Sequence, residues 1–279
     1  MQLIIGGFLE GNRLMTLQDL LAPVSAIARQ AGTAILDVYN RDDHAVQHKA
    51  DDSPLTAADL AAHHIITESL QALTPELPVL SEESAEVPWA VRRTWGRYWL
   101  VDPLDGTKEF INRNGEFTVN IALIDQGAPV LGIVFVPVLD LLYIGAQGLG
   151  AWKEEKGRRV PICSVAVASG QKSLRVVASR RHGGAELDAW LDRARQHFPE
   201  LELVNMGSSL KICLVAEGKA DIYPRLAPTS EWDTAAAQGV LEAAGGTLTD
   251  TDFRPYRYNR KDDILNPYFY AMGDAALRL

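Results

Sequence analysis

The sequence has little cysteine, fewer basic than acidic residues and no long apolar run, and each shortage excludes a class of protein. Cys163 and Cys213 are the only cysteines among 279 residues. One disulfide is arithmetically possible, but two ordinary buried thiols are favoured because the pair lacks CxxC spacing. Lys and Arg number 27 against 36 for Asp and Glu, so the net charge of −9 disfavours a nucleic-acid or anionic-membrane partner. No stretch approaches the roughly 18 uninterrupted apolar residues of a transmembrane helix.

The remaining composition is that of an ordinary globular protein. Apolar residues make up 47% and charged residues 23% of the chain, close to the average for soluble domains. We therefore expect a cytoplasmic protein, and the sequence leaves open its oligomeric state and any loose attachment to the inner membrane. Residues 1–14 lack the basic region and cleavage site of a signal peptide, and we expect them to form a poorly ordered extension.

Helical periodicity and short apolar runs alternate along the chain. Apolar spacing predicts helices at 17–40, with Thr16 as N-cap, and at 57–73, followed by helices at 184–197, 208–217 and 231–244. Strands are predicted at 78–83, 97–103, 117–125, 130–138, 140–147, 174–179, 201–205, 220–225 and 246–250.

The order of these elements predicts two halves. Residues 15–155 would place paired helices on a mostly antiparallel sheet, because the spacers between its last three predicted strands are short. Residues 156–279 would form a second α/β layer packed against the first. The expected fold class is therefore α+β with a layered α/β arrangement.

The segment from Trp99 to Thr107 carries the strongest chemical signal. An apolar strand ends there in the sequence DPLDGT, where two carboxylates three residues apart can project into one cleft. Hard divalent cations bind carboxylate and carbonyl oxygens, so Asp102, the Leu104 carbonyl and Asp105 form a natural ligand set. Thr107 would place a hydroxyl at the start of the next helix, whose N-terminus favours an anion. The same residue types are also ordinary in a strand-to-helix turn.

Three further acids are candidates for the same site. Glu82 follows another short apolar strand in the sequence SEES, where converging carboxylates would repel one another without a cation. Asp233 opens a helix in the sequence WDTAA, and Asp59 stands in the first turn of the second predicted helix. Each of these two residues has an alternative role as a helix-capping acid.

Basic residues suited to an anionic substrate occur in the second half. Lys211 lies in the sequence GSSLK, and Arg225 lies in YPR. The alternatives are that Ser208 is an ordinary N-cap and that Lys211, one turn later, faces water.

Together and in this order, SEES, WLVDPLDGT and WDTAA resemble the magnesium-dependent, lithium-inhibited phosphomonoesterases of the inositol monophosphatase superfamily. The resemblance runs from about Leu17 to near the C-terminus. Within that superfamily, DPLDGTKEF, GSSLK and VAEGKADIYPR resemble the bacterial 3′(2′),5′-bisphosphate nucleotidases. Those enzymes remove the 3′-phosphate from adenosine 3′,5′-bisphosphate, a by-product of sulfate activation. The resemblance implies an alternating α-β-α-β-α sandwich of the sugar-phosphatase type, two or three Mg²⁺ ions and a small-molecule nucleotide substrate.

Carried over residue by residue, the resemblance implies a complete site. Asp59 and Thr107 would orient and activate the attacking water. The implied metal ligands are Glu82, Asp102, the Leu104 carbonyl, Asp105 and Asp233. The implied substrate contacts are Glu82, Leu104, Asp105, Gly106, Thr107, Ser208, Lys211, Arg225 and Asp233.

One departure from the superfamily pattern bears on the substrate. Inositol monophosphatases usually carry DGTTNF and an acid seven residues before the WD aspartate, whereas this chain has DGTKEF and Leu226. That difference argues against inositol. Alternatives within the class are phosphatases for inositol or sugar phosphates, or for the sulfated nucleotide 3′-phosphoadenosine 5′-phosphosulfate. The alternative from another class is a catalytically silent nucleotide- or metal-binding module, which would have no need of a water-activating pair.

Overall fold

The computed structural model describes residues 8–10, 13–40, 46–48, 54–84, 86–178 and 184–279. Within the predicted N-terminal extension, Phe8–Glu10 pairs with Arg13–Met15 as a short antiparallel ladder. The other residues of the segment 1–14, which we predicted to be poorly ordered, lie outside the described residues.

Helices and strands alternate along the described part of the chain. The helices are α1 (Leu17–Tyr39), α2 (Ala57–Leu73), α3 (Trp89–Arg92), α4 (Thr107–Ile111), α5 (Ala185–His197), α6 (Leu210–Ala216) and α7 (Glu231–Ala243). The strands are β1 (Phe8–Glu10), β2 (Arg13–Met15), β3 (Val46–His48), β4 (Pro54–Thr56), β5 (Val79–Ser81), β6 (Arg97–Asp105), β7 (Thr118–Asp125), β8 (Ala128–Val136), β9 (Leu141–Ala146), β10 (Gly150–Glu155), β11 (Arg158–Ile162), β12 (Ser173–Ala178), β13 (Glu200–Asn205), β14 (Ile222–Arg225), β15 (Thr247–Asp250) and β16 (Phe269–Met272).

The first two long helices form where the apolar periodicity places them. Thr16 caps α1: the backbone N–H of Thr16 donates to the Asp19 carboxylate at 2.9 Å, and the N–H of Asp19 donates to the Thr16 hydroxyl at 3.3 Å. This reciprocal pair satisfies two backbone donors that the helix leaves free. Helices α1 and α2 pack against each other and bury their apolar faces on the first sheet.

The first sheet has the order β11-β10-β9-β8-β7-β6-β5 and is antiparallel except for the parallel pair β5 and β6. Helices α1 and α2 cover one face, and α7 lies across β6 to β10 on the other. Helix α7 approaches closely because Gly132 and Gly145 have no side chains. A Cβ at Gly132 would collide with the Ala236 carbonyl of α7, and one at Gly145 would collide with the backbone of Val240.

The second sheet, in the order β13-β12-β14-β16-β15, packs its inner face on α6 and α7. Its outer face buries Leu174, Val176 and Tyr270 against Trp190 of α5. The layers are therefore α1 and α2, the first sheet, α6 and α7, the second sheet, and α5. This arrangement confirms the predicted alternating α-β-α-β-α sandwich.

The structure differs from the sequence predictions at several places. Strands β1 to β4, β10, β11 and β16 and the short helix α3 were not predicted, whereas each predicted strand is present with slightly different bounds. Helix α6 begins at Leu210, two residues later than expected. Both cysteines are free, but Cys163 is exposed and only Cys213 is buried, so the prediction of two buried thiols is wrong for Cys163. In the described ranges, none of the helices has the length and apolar character to cross a membrane.

Candidate active site

A β-bulge brings the two acids of DPLDGT to the same face of the first sheet. Asp102 pairs with Asn120 and Asp105 pairs with Thr118, so three steps along β6 match two along β7. Without the extra residue, side chains three positions apart in a strand would point to opposite faces. Each acid therefore stands beside a polar residue of β7. The register therefore puts both carboxylates on one face of the sheet, although only Asp105 lines the cavity described below.

Glu82 reaches the same sheet edge from the neighbouring strand. Strands β5 and β6 run parallel, with Ser81 paired to Val101, so the residues that follow lie next to each other across the strands. Glu82 opens a short 3₁₀ turn immediately after β5 and is half-buried. Its charge raises the pKa of Asp102, which places the two carboxylates within electrostatic reach.

The remaining two acids come from helices on opposite faces of the first sheet. Asp59 lies in the first turn of α2 and is fully buried on the face that packs against the sheet. Asp233 lies in the first turn of α7, where its carboxylate accepts a hydrogen bond from the Ser230 N–H at 2.8 Å. Asp233 is therefore a helix-capping acid, which was the alternative role considered in the sequence analysis. The charges of Asp233 and Asp59 also raise the pKa of Asp102, so the capping role does not exclude Asp233 from the acid cluster.

Burial and mutual repulsion hold these carboxyl groups above their ordinary pKa values. Burial, and then the charge of Glu82, raises the pKa of Asp102 well above the ordinary value. Burial raises the pKa of Asp105 to about 6 against the opposing effect of Lys211. Burial, and then the charge of Asp105, raises the pKa of Asp233 to about 8. Gathered acids that resist ionisation fit a site for cations, because a bound cation would offset both effects.

The chemistry of the donors also fits a hard divalent cation. Carboxylates and the backbone carbonyl within DPLDGT supply only oxygen, the ligand that Mg²⁺ prefers. In the described part of the chain, no group of three or more Asp, Glu, His or Cys side chains is arranged so that it could by itself hold a metal ion. Mg²⁺ usually keeps several water ligands and binds through one or two carboxylates plus substrate phosphate, so an open arrangement suits it.

A cavity of about 190 Å³ joins this acid cluster to basic side chains of the second half. Asp105 and Asp233 line it together with Lys211 and Arg225, whereas Asp59, Glu82 and Asp102 are not part of its lining. Two of the five predicted acids therefore meet the two predicted bases at this cavity.

Lys211 does not face water, so the alternative interpretation of this residue as a solvent-exposed lysine is wrong. Its side chain is buried, and its ammonium group lies 5.7 Å from the centre of the Tyr223 ring. Burial lowers the pKa of Lys211 to about 8, an effect that the nearby Asp105 carboxylate opposes. Arg225 is half-buried and donates to the carbonyl oxygens of Ala227, at 3.1 Å, and Pro228, at 2.8 Å. Two cationic groups are thus held at the cavity.

Gly106, which directly precedes Thr107, lies against Ser208. Thr107 begins α4 as predicted, and Gly106 precedes it with a left-handed φ of 91°. A Cβ at Gly106 would collide with the Ser208 hydroxyl, so a side chain is excluded on steric grounds as well. The interpretation of Ser208 as an N-cap is wrong. Helix α6 starts only at Leu210, two residues after Ser208. The backbone of Ser208 has a φ of 45°, and its hydroxyl donates to the Asp105 carbonyl at 2.9 Å.

Comparison with known proteins decides the family. The model of the inositol monophosphatase family matches residues 16–275. This chain belongs to the inositol monophosphatase family. A protein named 3′(2′),5′-bisphosphate nucleotidase CysQ from Escherichia coli strain K12 is 51% identical over 251 residues, which cover 90% of this chain and 98% of that protein. A protein of the same name from Haemophilus influenzae is 37% identical over 262 residues, covering 94% and 96% of the two chains.

A solved structure of the inositol monophosphatase family has the same fold. The crystal structure of CysQ from Bacteroides thetaiotaomicron, described as a bacterial member of this family, aligns with a TM-score of 0.79 and 43% identity. The alignment covers 92% of this chain and 97% of that chain. The layered sandwich described above is therefore the fold of the family along nearly the whole chain.

Sequence reasoning missed several polar residues of this family member's site. Thr118 and Asn120 of β7, together with Ser209, are buried beside Asp105 and form hydrogen bonds with one another. Glu116 lines the cavity and accepts a hydrogen bond from the Gly207 N–H at 2.7 Å. The sequence of β7 contains a signal for two of them, because Thr118 and Asn120 are polar residues on one face of a strand that is otherwise apolar. Buried polar side chains are costly unless they form hydrogen bonds, so such a pair indicates a polar site.

Proposed function

We propose that this chain is a Mg²⁺-dependent phosphomonoesterase that hydrolyses adenosine 3′,5′-bisphosphate to AMP and phosphate. The observation that carries the proposal is the shared cavity, in which Asp105 and Asp233 lie beside Lys211 and Arg225. Such a site can hold cations and a phosphate side by side. The substrate is inferred from the relatives named 3′(2′),5′-bisphosphate nucleotidase, which match 90% of the chain at 51% identity.

The proposed metal ligands are the oxygen donors around the bulge and α7, namely Glu82, Asp102, the Leu104 carbonyl, Asp105 and Asp233. When bound there, two or three Mg²⁺ ions would lower the pKa of a water molecule and neutralise charge on the leaving oxygen. The support is the burial and raised pKa values of the acids, which a cation would offset. Each ligand in this set was also the sequence-based expectation.

We assign the water-activating role to Asp59 and Thr107. A threonine hydroxyl can donate to a carboxylate while accepting from water, so the pair can orient the attacking water and accept its proton. The water attacks phosphorus directly and the nucleoside oxygen leaves, without a phosphoenzyme. The carboxylate of Asp59 suits this role because it is fully buried within electrostatic reach of Asp102.

Substrate binding is assigned to the residues around the cavity. Lys211 and Arg225 would pair with phosphate oxygens, and Ser208, Gly106 and Thr107 would contact the substrate from the junction of the two halves. Glu82, Leu104, Asp105 and Asp233 would contact the transferred phosphate through the cations they hold. Burial of Lys211 supports a role beyond solubility, because burying an ammonium group is costly.

The domain division and location are also proposals. We place a metal-binding half at 15–155 and a second half at 156–279 that completes the site with Lys211 and Arg225. A cytoplasmic location and a role in sulfur metabolism follow from the proposed substrate, a by-product of sulfate activation.

The deciding experiment measures Mg²⁺-dependent phosphate release from adenosine 3′,5′-bisphosphate and from inositol 1-phosphate side by side, with and without lithium. We expect a strong preference for the nucleotide and inhibition by lithium. Preference for inositol phosphate would keep the metal chemistry but overturn the substrate. Inactivity on both substrates in the presence of Mg²⁺ would contradict the proposed reaction.

A further inference from the structure

We propose that Thr118, Asn120 and Ser209 form a positioning network that holds Asp105 in its cation-binding orientation and ties it to the helix that carries Lys211. The inference rests on the proposed function, since Asp105 is a proposed metal ligand. It assigns no catalytic role to the three residues, which act through Asp105.

The first step concerns the loop of residues 207–209, in which Ser208 and Ser209 contact Asp105. The backbone N–H of Ser209 donates to Asp105 Oδ2 at 2.6 Å, and the Ser208 hydroxyl donates to the Asp105 carbonyl oxygen at 2.9 Å. One bond fixes a carboxylate oxygen and the other fixes the backbone from which the carboxylate extends. The orientation of Asp105 therefore depends on where this loop lies.

The second step concerns the hydroxyl of Ser209, which anchors the loop to β7. It lies 2.8 Å from Asn120 Oδ1 and 2.9 Å from the Thr118 hydroxyl, and all three residues are buried. A hydroxyl has one hydrogen, and an amide oxygen can only accept. Ser209 therefore donates to Asn120 and accepts from Thr118. The bonds form a directed chain in which each hydroxyl hydrogen has one acceptor.

The third step concerns the register of β7 against the bulge. Thr118 pairs with Asp105 and Asn120 pairs with Asp102, so the strand that anchors the loop also flanks both acids. The amide nitrogen of Asn120 is buried and has no hydrogen-bond partner among the described residues. An unpartnered buried donor is costly, and in this position it suits a carboxylate oxygen of the flanking acids.

The fourth step concerns the link to the basic side of the cavity. Residues 207–209 lead directly into α6, which carries Lys211 in its first turn. The loop is also held by the bond from the Gly207 N–H to Glu116, and it keeps Ser208 in a left-handed conformation that a serine rarely adopts. Because one loop contacts Asp105 and begins α6, a shift of the loop would displace both proposed binding groups together.

The test measures Mg²⁺ binding without turnover, as the Mg²⁺ concentration that gives half of the maximal rise in Tm. The variant Ser209→Ala removes the anchoring hydroxyl but keeps the backbone N–H that bonds Asp105. The matched control is Ser25→Ala, which removes another buried serine hydroxyl, one that donates to the Leu21 carbonyl at 2.6 Å in α1. We expect the Mg²⁺ midpoint to rise about tenfold for Ser209→Ala, the usual effect of losing an outer-shell partner, and not to change for Ser25→Ala.

A second matched pair keeps the inference testable if Ser209→Ala does not fold. Thr118→Val removes the first donor of the chain, and Thr74→Val removes a buried threonine that accepts from Trp99 near the start of β6. Only Thr118→Val is expected to weaken Mg²⁺ binding. An unchanged Mg²⁺ midpoint in a folded Ser209→Ala or Thr118→Val variant would overturn the positioning role. Absence of any Mg²⁺ effect on the unmodified chain would instead overturn the proposed function, and this inference with it.

Discussion

Removing the Asp233 carboxylate should stabilise the metal-free chain while abolishing its response to Mg²⁺. Burial and the neighbouring Asp105 charge raise the pKa of Asp233 from an ordinary value of 3.8 to about 8. The folded chain therefore binds this proton more tightly than the unfolded chain does. Stability contributed by the protonated form is present below pH 4 and is lost as the pH rises through about 8. The isosteric amide of Asp233→Asn does not titrate and can still accept the Ser230 N–H.

The magnitude follows from the distance between the two pKa values. About 3 pH units separate the unfolded pKa of 3.8 from pH 7. Each unit lowers the free energy of unfolding by about 1.4 kcal/mol, so the upper bound on the cost of the Asp233 carboxylate is about 4 kcal/mol. Solvent reaches the half-buried carboxylate and screens its repulsion, so we expect a gain of about 2 kcal/mol for Asp233→Asn. For a chain of this size, that gain corresponds to a rise in Tm of roughly 5 °C.

The assay is thermal unfolding in EDTA and in Mg²⁺ at several pH values between 5 and 8. Asp233→Asn should exceed the unmodified chain in EDTA, increasingly so toward pH 8, and should gain nothing from Mg²⁺. The matched control is Asp188→Asn, an exposed acid in the first turn of α5, which should lose a few tenths of a kcal/mol by weakening a helix-dipole contact. A variant Asp233→Asn that is less stable than the unmodified chain in EDTA at pH 8 would refute the reasoning.

Three further predictions concern the ligand set, the basic side of the cavity and the packing of α7. Asp105→Asn should lower phosphate release by orders of magnitude and weaken Mg²⁺ binding while the fold, monitored by circular dichroism, stays intact. Lys211→Ala should raise the Michaelis constant for adenosine 3′,5′-bisphosphate more than that for a minimal phosphate ester. Gly132→Ala should cost about 1–3 kcal/mol in chemical denaturation and reduce activity, because its Cβ would push α7, which carries Asp233, away from the sheet.

Each of these predictions has a distinct contrary outcome. Near-normal turnover by Asp105→Asn would remove that residue from the metal site. An equal change in the Michaelis constant for both substrates would remove Lys211 from nucleotide recognition. Unchanged stability of Gly132→Ala would show that α7 can shift without cost, and would weaken the link between the sheet glycines and the position of Asp233.

The layers of the fold and the residue types of the candidate site could be predicted from the sequence more completely than their arrangement in space. Helix α2 has the predicted bounds, because its apolar face and its flanking turn residues agree. The edge strand β11 and its neighbour β10 escaped prediction because they are rich in Lys, Arg and Glu, as strands near a solvent-exposed sheet edge often are. No local pattern distinguishes a charged edge strand from a loop.

The candidate site shows the same division between residue type and geometry. The acids of DPLDGT were recognised by their chemistry, but strict alternation along a strand would have put Asp102 and Asp105 on opposite faces. Their convergence depends on a bulge that the register with β7 defines. The contacts of Ser209 join residues about 90 positions apart, and such a pairing exists only in the folded chain.

The arrangement of charges is compatible with the proposed anionic substrate even though the chain has a net charge of −9. At physiological ionic strength, charges separated by more than about 8 Å in solvent are largely screened, so the surface acids of the chain contribute little at the cavity. What a phosphate meets there is the pair Lys211 and Arg225 and the acids Asp105 and Asp233. Those acids repel an anion when bare and attract it when they hold divalent cations. If the proposed function is correct, the site would therefore bind a phosphate ester only when it holds cations, and electrostatics alone would couple substrate binding to metal binding.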